Sequence, residues 1–290
     1  MMRASLRHRR FPLLFVAIVA ALAAAFLWRP APVRAQQTAP YRILVTNDDG
    51  VRAPGIIALA QALQSLGEVT IVAPLENQSA KSQSLTINDP IYRDAVELPG
   101  GLKAIGLAAT PATCVKVALG VPLMPSRPDL VVSGINYGYN LGLTPYISGT
   151  VGAAREAAQV GVPAIAASLA AAGHPNYGPA AEYVRRVAEL VKTRGIESGV
   201  FLNVNIPAGA LEAIKGLRLT TQSAQIGVEG YVEHQSPRGR RYYWTTYKDP
   251  AGDVEGSDVW MVEHGYVAVT PLRVGEFDRK TFDAWKDLIK

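Results

Sequence analysis

Arg42-Ile43-Leu44-Val45-Thr46-Asn47-Asp48-Asp49-Gly50 is the stretch that decides the fold. Its first five residues are β-prone and mostly apolar, with no polar alternation. A strand made of them must be covered on both faces, as inside a parallel sheet. The run ends in a polar, glycine-containing turn, after which Pro54 can open a helix, where its missing N–H costs nothing. Ile56, Ile57, Leu59, Ala60, Leu63 and Leu66 supply the apolar side of that helix, and Gly67 ends it.

The same rhythm continues outward. Strands are expected at 69–73, 102–107, 129–133 and 162–167, and helices at 111–119, from Gly149, and at 179–194. This pattern predicts a doubly wound, mostly parallel α/β sheet covered by helices. Beyond Val200 the pattern changes. Strands are expected at 201–206, 217–221 and 266–270, with a last helix at 279–289. The Tyr- and Trp-rich segments 228–234 and 241–247 flank Ser236-Pro237-Arg238-Gly239 as a β-hairpin excursion within about 225–247.

Residues 1–35 read as a secretory signal peptide: Arg3, Arg7, Arg9 and Arg10, an apolar run from Phe11 to Leu27, then Val33-Arg34-Ala35 before a mature start at Gln36. The alternative is an uncleaved anchor, the apolar run being near the roughly 17-residue minimum for a span. Cleavage predicts a periplasmic or extracellular protein with no membrane contact. The net charge is +5, and without the six arginines of this acid-free leader it falls to −1. The basic character therefore belongs to the leader, and no nucleic-acid polymer is expected as a partner. Cys114 is the only cysteine, which excludes an intrachain disulfide and disfavours a zinc-thiolate site. The four histidines show no metal-ligand spacing.

Candidate chemistry gathers where strands end, since open α/β sheets bind ligands outside the carboxyl ends of their strands. Asp48 and Asp49 end the first strand, Ser79 lies in the loop after the second, and Asn136 and Asn140 follow the strand at 129–133. Two adjacent carboxylates at a buried sheet edge repel unless a cation neutralises them. Oxygen donors without thiolate or imidazole suit one magnesium or manganese ion. Ser148-Gly149-Thr150 starts a helix, and helix N-termini offer unpaired N–H groups to phosphate. No Walker-type or Gly-x-Gly-x-x-Gly run follows the first strand.

Together, Leu44 to Val51, Ala53-Pro54-Gly55-Ile56, Ser133-Gly134-Ile135-Asn136, Gly138, Asn140, Gly142 and Ser148-Gly149-Thr150-Val151 resemble the SurE-type (survival protein E) 5′/3′-nucleotidases. The resemblance covers nearly all of 41–290, including Gly265-Tyr266-Val267 and Thr270-Pro271-Leu272. It implies a Rossmann-like fold and a metal-dependent hydrolase of nucleoside 5′- and 3′-monophosphates. It also implies metal ligands at Asp48, Asp49, Ser79 and Asn136, a phosphate wall at Ser148-Gly149-Thr150, and a homodimer or homotetramer built through the hairpin. Gln78, Ala80, Ala109 and Ile147 depart from the family's usual residues, and the leader departs from its usual location.

The expected mechanism rests on Asp48, Asp49 and Asn136 around the cation. Donors from Ser148, Gly149, Thr150 and Asn140 would meet the phosphoryl oxygens. The rival is an exported α/β protein that binds an anion or nucleotide without turning it over.

Overall fold

The strands, in chain order, are β1 (Arg42–Thr46), β2 (Glu68–Pro74), β3 (Arg93–Leu98), β4 (Leu102–Leu107), β5 (Leu130–Tyr137), β6 (Ala164–Leu169), β7 (Val200–Ile206), β8 (Leu217–Leu219), β9 (Val228–Gln235), β10 (Arg241–Lys248) and β11 (Val267–Arg273). The helices are α1 (Pro54–Leu63), α2 (Pro111–Gly120), α3 (Gly149–Gln159), α4 (Tyr177–Arg194), α5 (Asp258–Glu263) and α6 (Arg279–Trp285). This computed structural model describes residues 40–289, apart from 172, 174 and 209–212. The leader expectation therefore lies outside the described residues. Among the described residues, no helix is long and apolar enough to cross a membrane.

Nine strands form one sheet in the order β3-β4-β2-β1-β5-β6-β7-β11-β8. β1 pairs in parallel with β2 on one side and β5 on the other. The chain turns to opposite sides of β1 at these two pairings, which makes the switch point where α/β sheets open a crevice. β3 and β11 pair antiparallel, with β4 and β7 respectively, so the sheet is mostly parallel.

Alternation along β1 divides the core. Ile43 and Val45 face the side covered by α1 and α4, with Ile71 and Ile165 beside them. Leu44 faces the side covered by α2 and α3, with Val72, Val131 and Phe201. All three β1 side chains are fully buried, which is what an apolar run without alternation requires. Each such burial contributes about 1.5–3 kcal/mol against exposure. α1 starts so close to β5 that a Cβ on Gly55 would lie 2.1 Å from the Ile135 carbonyl oxygen. Glycine is required there by contact.

The sequence expectations missed β3 and α5. Arg93-Asp94-Ala95-Val96-Glu97-Leu98 is an edge strand with only Val96 and Leu98 buried, so it lacks an apolar run. α5 is a short helix capped by the Ser257 side chain, which accepts from the Trp260 N–H. The hairpin is present as a separate two-stranded sheet of β9 and β10. Its register pairs Val232 with Trp244 and His234 with Tyr242, and both tyrosine and tryptophan are exposed.

Candidate active site

The ends of β1 and β5, the loop after β2 and the start of α3 meet around a cleft of about 480 Å³, within the range of about 300–1,000 Å³ common to small-ligand sites. Asp48, Ser79, Asn136, Asn140 and Ser148 line it. Asp49, Gly149 and Thr150 do not line it but contact residues that do. Asp49 Oδ2 accepts from the Tyr137 N–H at 3.2 Å. Gly149 and Thr150 pack against Asp48.

Asp48 is the most constrained of these residues. Only 3% of it is exposed. Its Oδ1 accepts from the Thr150 hydroxyl, and its carbonyl accepts from the Gln78 N–H at 2.7 Å. A Cβ on Gly149 would sit 2.9 Å from both Asp48 Cβ and Oδ2. Burial pushes the Asp48 carboxyl up to about 6; the Thr150 hydrogen bond opposes this and the charge of Asp49 adds to it. Burial likewise raises Asp49, against the lowering bond from Tyr137. These are two crowded acids short of compensating charge.

At the start of α3, Ser148 is the N-cap, its Oγ accepting from the Val151 N–H at 3.2 Å. Because Ser148 only accepts in that bond, its own O–H proton is free to turn into the cleft. Thr150 differs: its hydroxyl proton goes to Asp48 and its backbone N–H faces the same carboxylate, so both groups steady the acid.

Ser79 is exposed in a loop whose backbone is tied down beside it, with Ser79 N–H donating to Asn77 Oδ1 at 2.9 Å. Asn136 Nδ2 donates to the Gly138 carbonyl at 2.9 Å, leaving Oδ1 as its remaining donor toward a cation. Asn140 is held from several directions. Its Nδ2 donates to Ser168 Oγ at 2.7 Å, its N–H to Asn205 Oδ1 at 2.8 Å, and its carbonyl accepts from Asn203 and Asn205.

The sequence model of a family described as Survival protein SurE matches residues 43–228, more than half the chain. The chain belongs to the SurE family. A "5′-nucleotidase SurE" of Geobacter sulfurreducens is 44% identical over 234 residues, covering 80% of this chain and 87% of that protein. A protein of the same name from Syntrophotalea carbinolica is 43% identical over 244 residues, covering 83% and 94%. The crystal structure of a SurE protein from Aquifex aeolicus superposes with a TM-score of 0.74 at 36% identity, covering 86% of this chain and all of that one.

SurE membership implies a divalent cation, and the residues present fit one. Among the described residues no three His, Cys, Asp or Glu side chains cluster in a way that could hold a metal. A cation in this cleft would meet Asp48 and Asp49 together with amide and hydroxyl oxygens. Such a set is hard and all-oxygen. The uncompensated burial of Asp48 beside Asp49 is the feature that a cation would offset.

Sequence reasoning did not single out Thr144, Tyr247 or Asp249, which line the cleft from the 144–146 turn and the far end of the hairpin. It also missed Ser168, Asn203 and Asn205. A signal for the two asparagines did exist: Asn203-Val204-Asn205 places buried amides in an otherwise apolar strand, and buried amides need partners.

Proposed function

We propose that this SurE-family chain hydrolyses nucleoside monophosphates to nucleoside and phosphate with one magnesium or manganese ion, and accepts 5′ and 3′ esters. The observation that carries the reading is Asp48, buried beside Asp49 and wedged against the N-terminus of α3. A cation site and a phosphate cradle thus share one contact. The relatives, named 5′-nucleotidases, support the nucleotide as substrate.

Asp48, Asp49, Ser79 and Asn136 would hold the cation, which supplies Lewis acidity toward a phosphoryl oxygen and an activated water. The N–H of Gly149 would receive charge on the equatorial oxygens, with the Ser148 hydroxyl donating beside it and Thr150 holding Asp48 against the same helix start. Thr150 keeps Asp48 in one rotamer, so the acid does not follow the substrate as charge shifts. Asn140 acts through its carbonyl and amide bonds as the fixed corner between β5, β6 and β7.

Purified protein incubated with adenosine monophosphate should release phosphate only with magnesium or manganese present. Chelator should abolish release and added metal restore it. Tight nucleotide binding without phosphate release under any divalent ion would favour the binding-protein reading instead.

The same reading includes assembly through the hairpin. The exposed face carrying Val232, His234, Tyr242 and Trp244 supports it, since such a face gains by burial against another copy. Trp244→Asp should lower the mass seen by light scattering. A wild-type protein that is already monomeric at micromolar concentration would end this idea.

A further inference from the structure

Asp249 directly follows β10 and lines the same cleft as Asp48, yet the cation site and the phosphate cradle leave it without a role. It is half-buried, and burial alone moves its carboxyl, upward; no hydrogen bond from a described residue compensates. Its position in the cleft shows in its effect on two phenols that line it. Burial first, and the charge of Asp249 with it, pushes Tyr139 up to about 12 against a lowering bond to Ala208. Burial and the same charge raise Tyr247 against the bond to Thr144.

The segment that carries Asp249 is firmly seated. Tyr247 OH and Thr144 Oγ1 are 2.8 Å apart. The Tyr247 ring lies so near Gly227 that a Cβ there would meet the phenol oxygen at 2.1 Å. The carboxylate is thus presented to the cleft by a fixed strand end.

A half-buried carboxylate without a donor among the described residues is an acceptor for the donors of a ligand. The phosphoryl group is excluded as its partner, because like charges repel. On a nucleotide the remaining donors are the sugar hydroxyls and the base N–H groups. On a 5′ ester the free 2′,3′-diol presents two O–H groups to the two oxygens of one carboxylate, as an acidic residue meets ribose in dinucleotide-binding folds. Tyr139 lines the same cleft beside Asp249, and in a nucleotide the ribose lies between base and phosphate. Resting on the nucleotidase reading above, we propose that Asp249 accepts hydrogen bonds from the free 2′- and 3′-hydroxyls of a 5′ ester and makes the site select 5′-ribonucleotides over their dideoxy analogues.

The test compares adenosine 5′-monophosphate, its 2′,3′-dideoxy analogue and phenyl phosphate, each with saturating manganese. Wild type should favour the ribonucleotide over the dideoxy ester by about tenfold or more in kcat/KM, the scale of a hydrogen bond to a charged group. Asp249→Ala should bring that ratio to near one, and Asp249→Asn, which keeps one acceptor oxygen, should give an intermediate ratio. Phenyl phosphate has no sugar and reports the chemistry separately. Wild type that handles both nucleotides equally, or variants that lower both by the same factor, would overturn the diol assignment while the nucleotidase reading stands. A preference for guanosine over inosine monophosphate that disappears in Asp249→Ala would assign the carboxylate to the base, and would overturn it too. Phosphate release from none of the three esters would overturn both.

Discussion

Asp48→Asn is expected to lower phosphate release from a nucleoside monophosphate at least about a hundredfold, the scale seen when one charge-stabilising group leaves an active site. Asp49→Asn should move activity in the same direction. Asparagine matches aspartate in shape, so its oxygen can still accept from Thr150 and its bulk still fits against Gly149. What is lost is charge at a site whose chemistry depends on holding a cation. A stability measurement separates this role from a structural one. Asp48 is a buried acid beside a second acid, so without metal the Asp48→Asn protein should melt at or above the wild-type temperature. Adding manganese should raise the wild-type midpoint by mass action and leave the variant nearly unmoved. A variant with wild-type turnover, or one that gains as much from manganese as wild type does, would remove Asp48 from the cation site.

The central part of the fold was legible because its signals are local. The unalternating run of β1, the turn after it and the apolar stripe of α1 lie within about one βαβ half-unit. Strand-end placement of Asp48, Asp49 and Asn136 follows from that rhythm and from the general position of ligands in open α/β sheets. The N-terminus of α3 was legible as a cap. The partner of Thr150 was not, since Asp48 lies 102 residues earlier and only the folded sheet brings them together. The same holds for Tyr247, which meets Thr144 across 103 residues from a hairpin that forms its own sheet. β3 left no trace in hydropathy because an edge strand needs little apolar surface. Asn140 looked like a loop donor, and its role as a fixed corner depends on amides in β7 and a hydroxyl in β6.

Gly149→Ala is the substitution whose effect the packing defines most sharply. It is expected to reduce turnover about a hundredfold, the scale of misplacing a catalytic group by about 1 Å. Gly149 opens α3, and alanine favours helix over glycine by about 1 kcal/mol in a helix interior, so loss of helix cannot produce the defect. The new methyl group instead enters occupied space. It would meet Asp48 Cβ and Oδ2 at 2.9 Å and the Gln78 carbonyl oxygen at 3.1 Å. Gln78 is tied through its N–H to the Asp48 carbonyl, so the neighbours cannot give way independently. The carboxylate must rotate or the loop bearing Ser79 must lift, and either separates the proposed cation donors from the phosphate cradle. Gly120→Ala is the control: it sits in α2 with nothing within 4 Å of the added Cβ, and turnover should stay near wild type. If Gly149→Ala and Gly120→Ala have equal activity, Asp48 does not depend on the close approach of α3, and the shared contact between cation site and cradle loses its meaning.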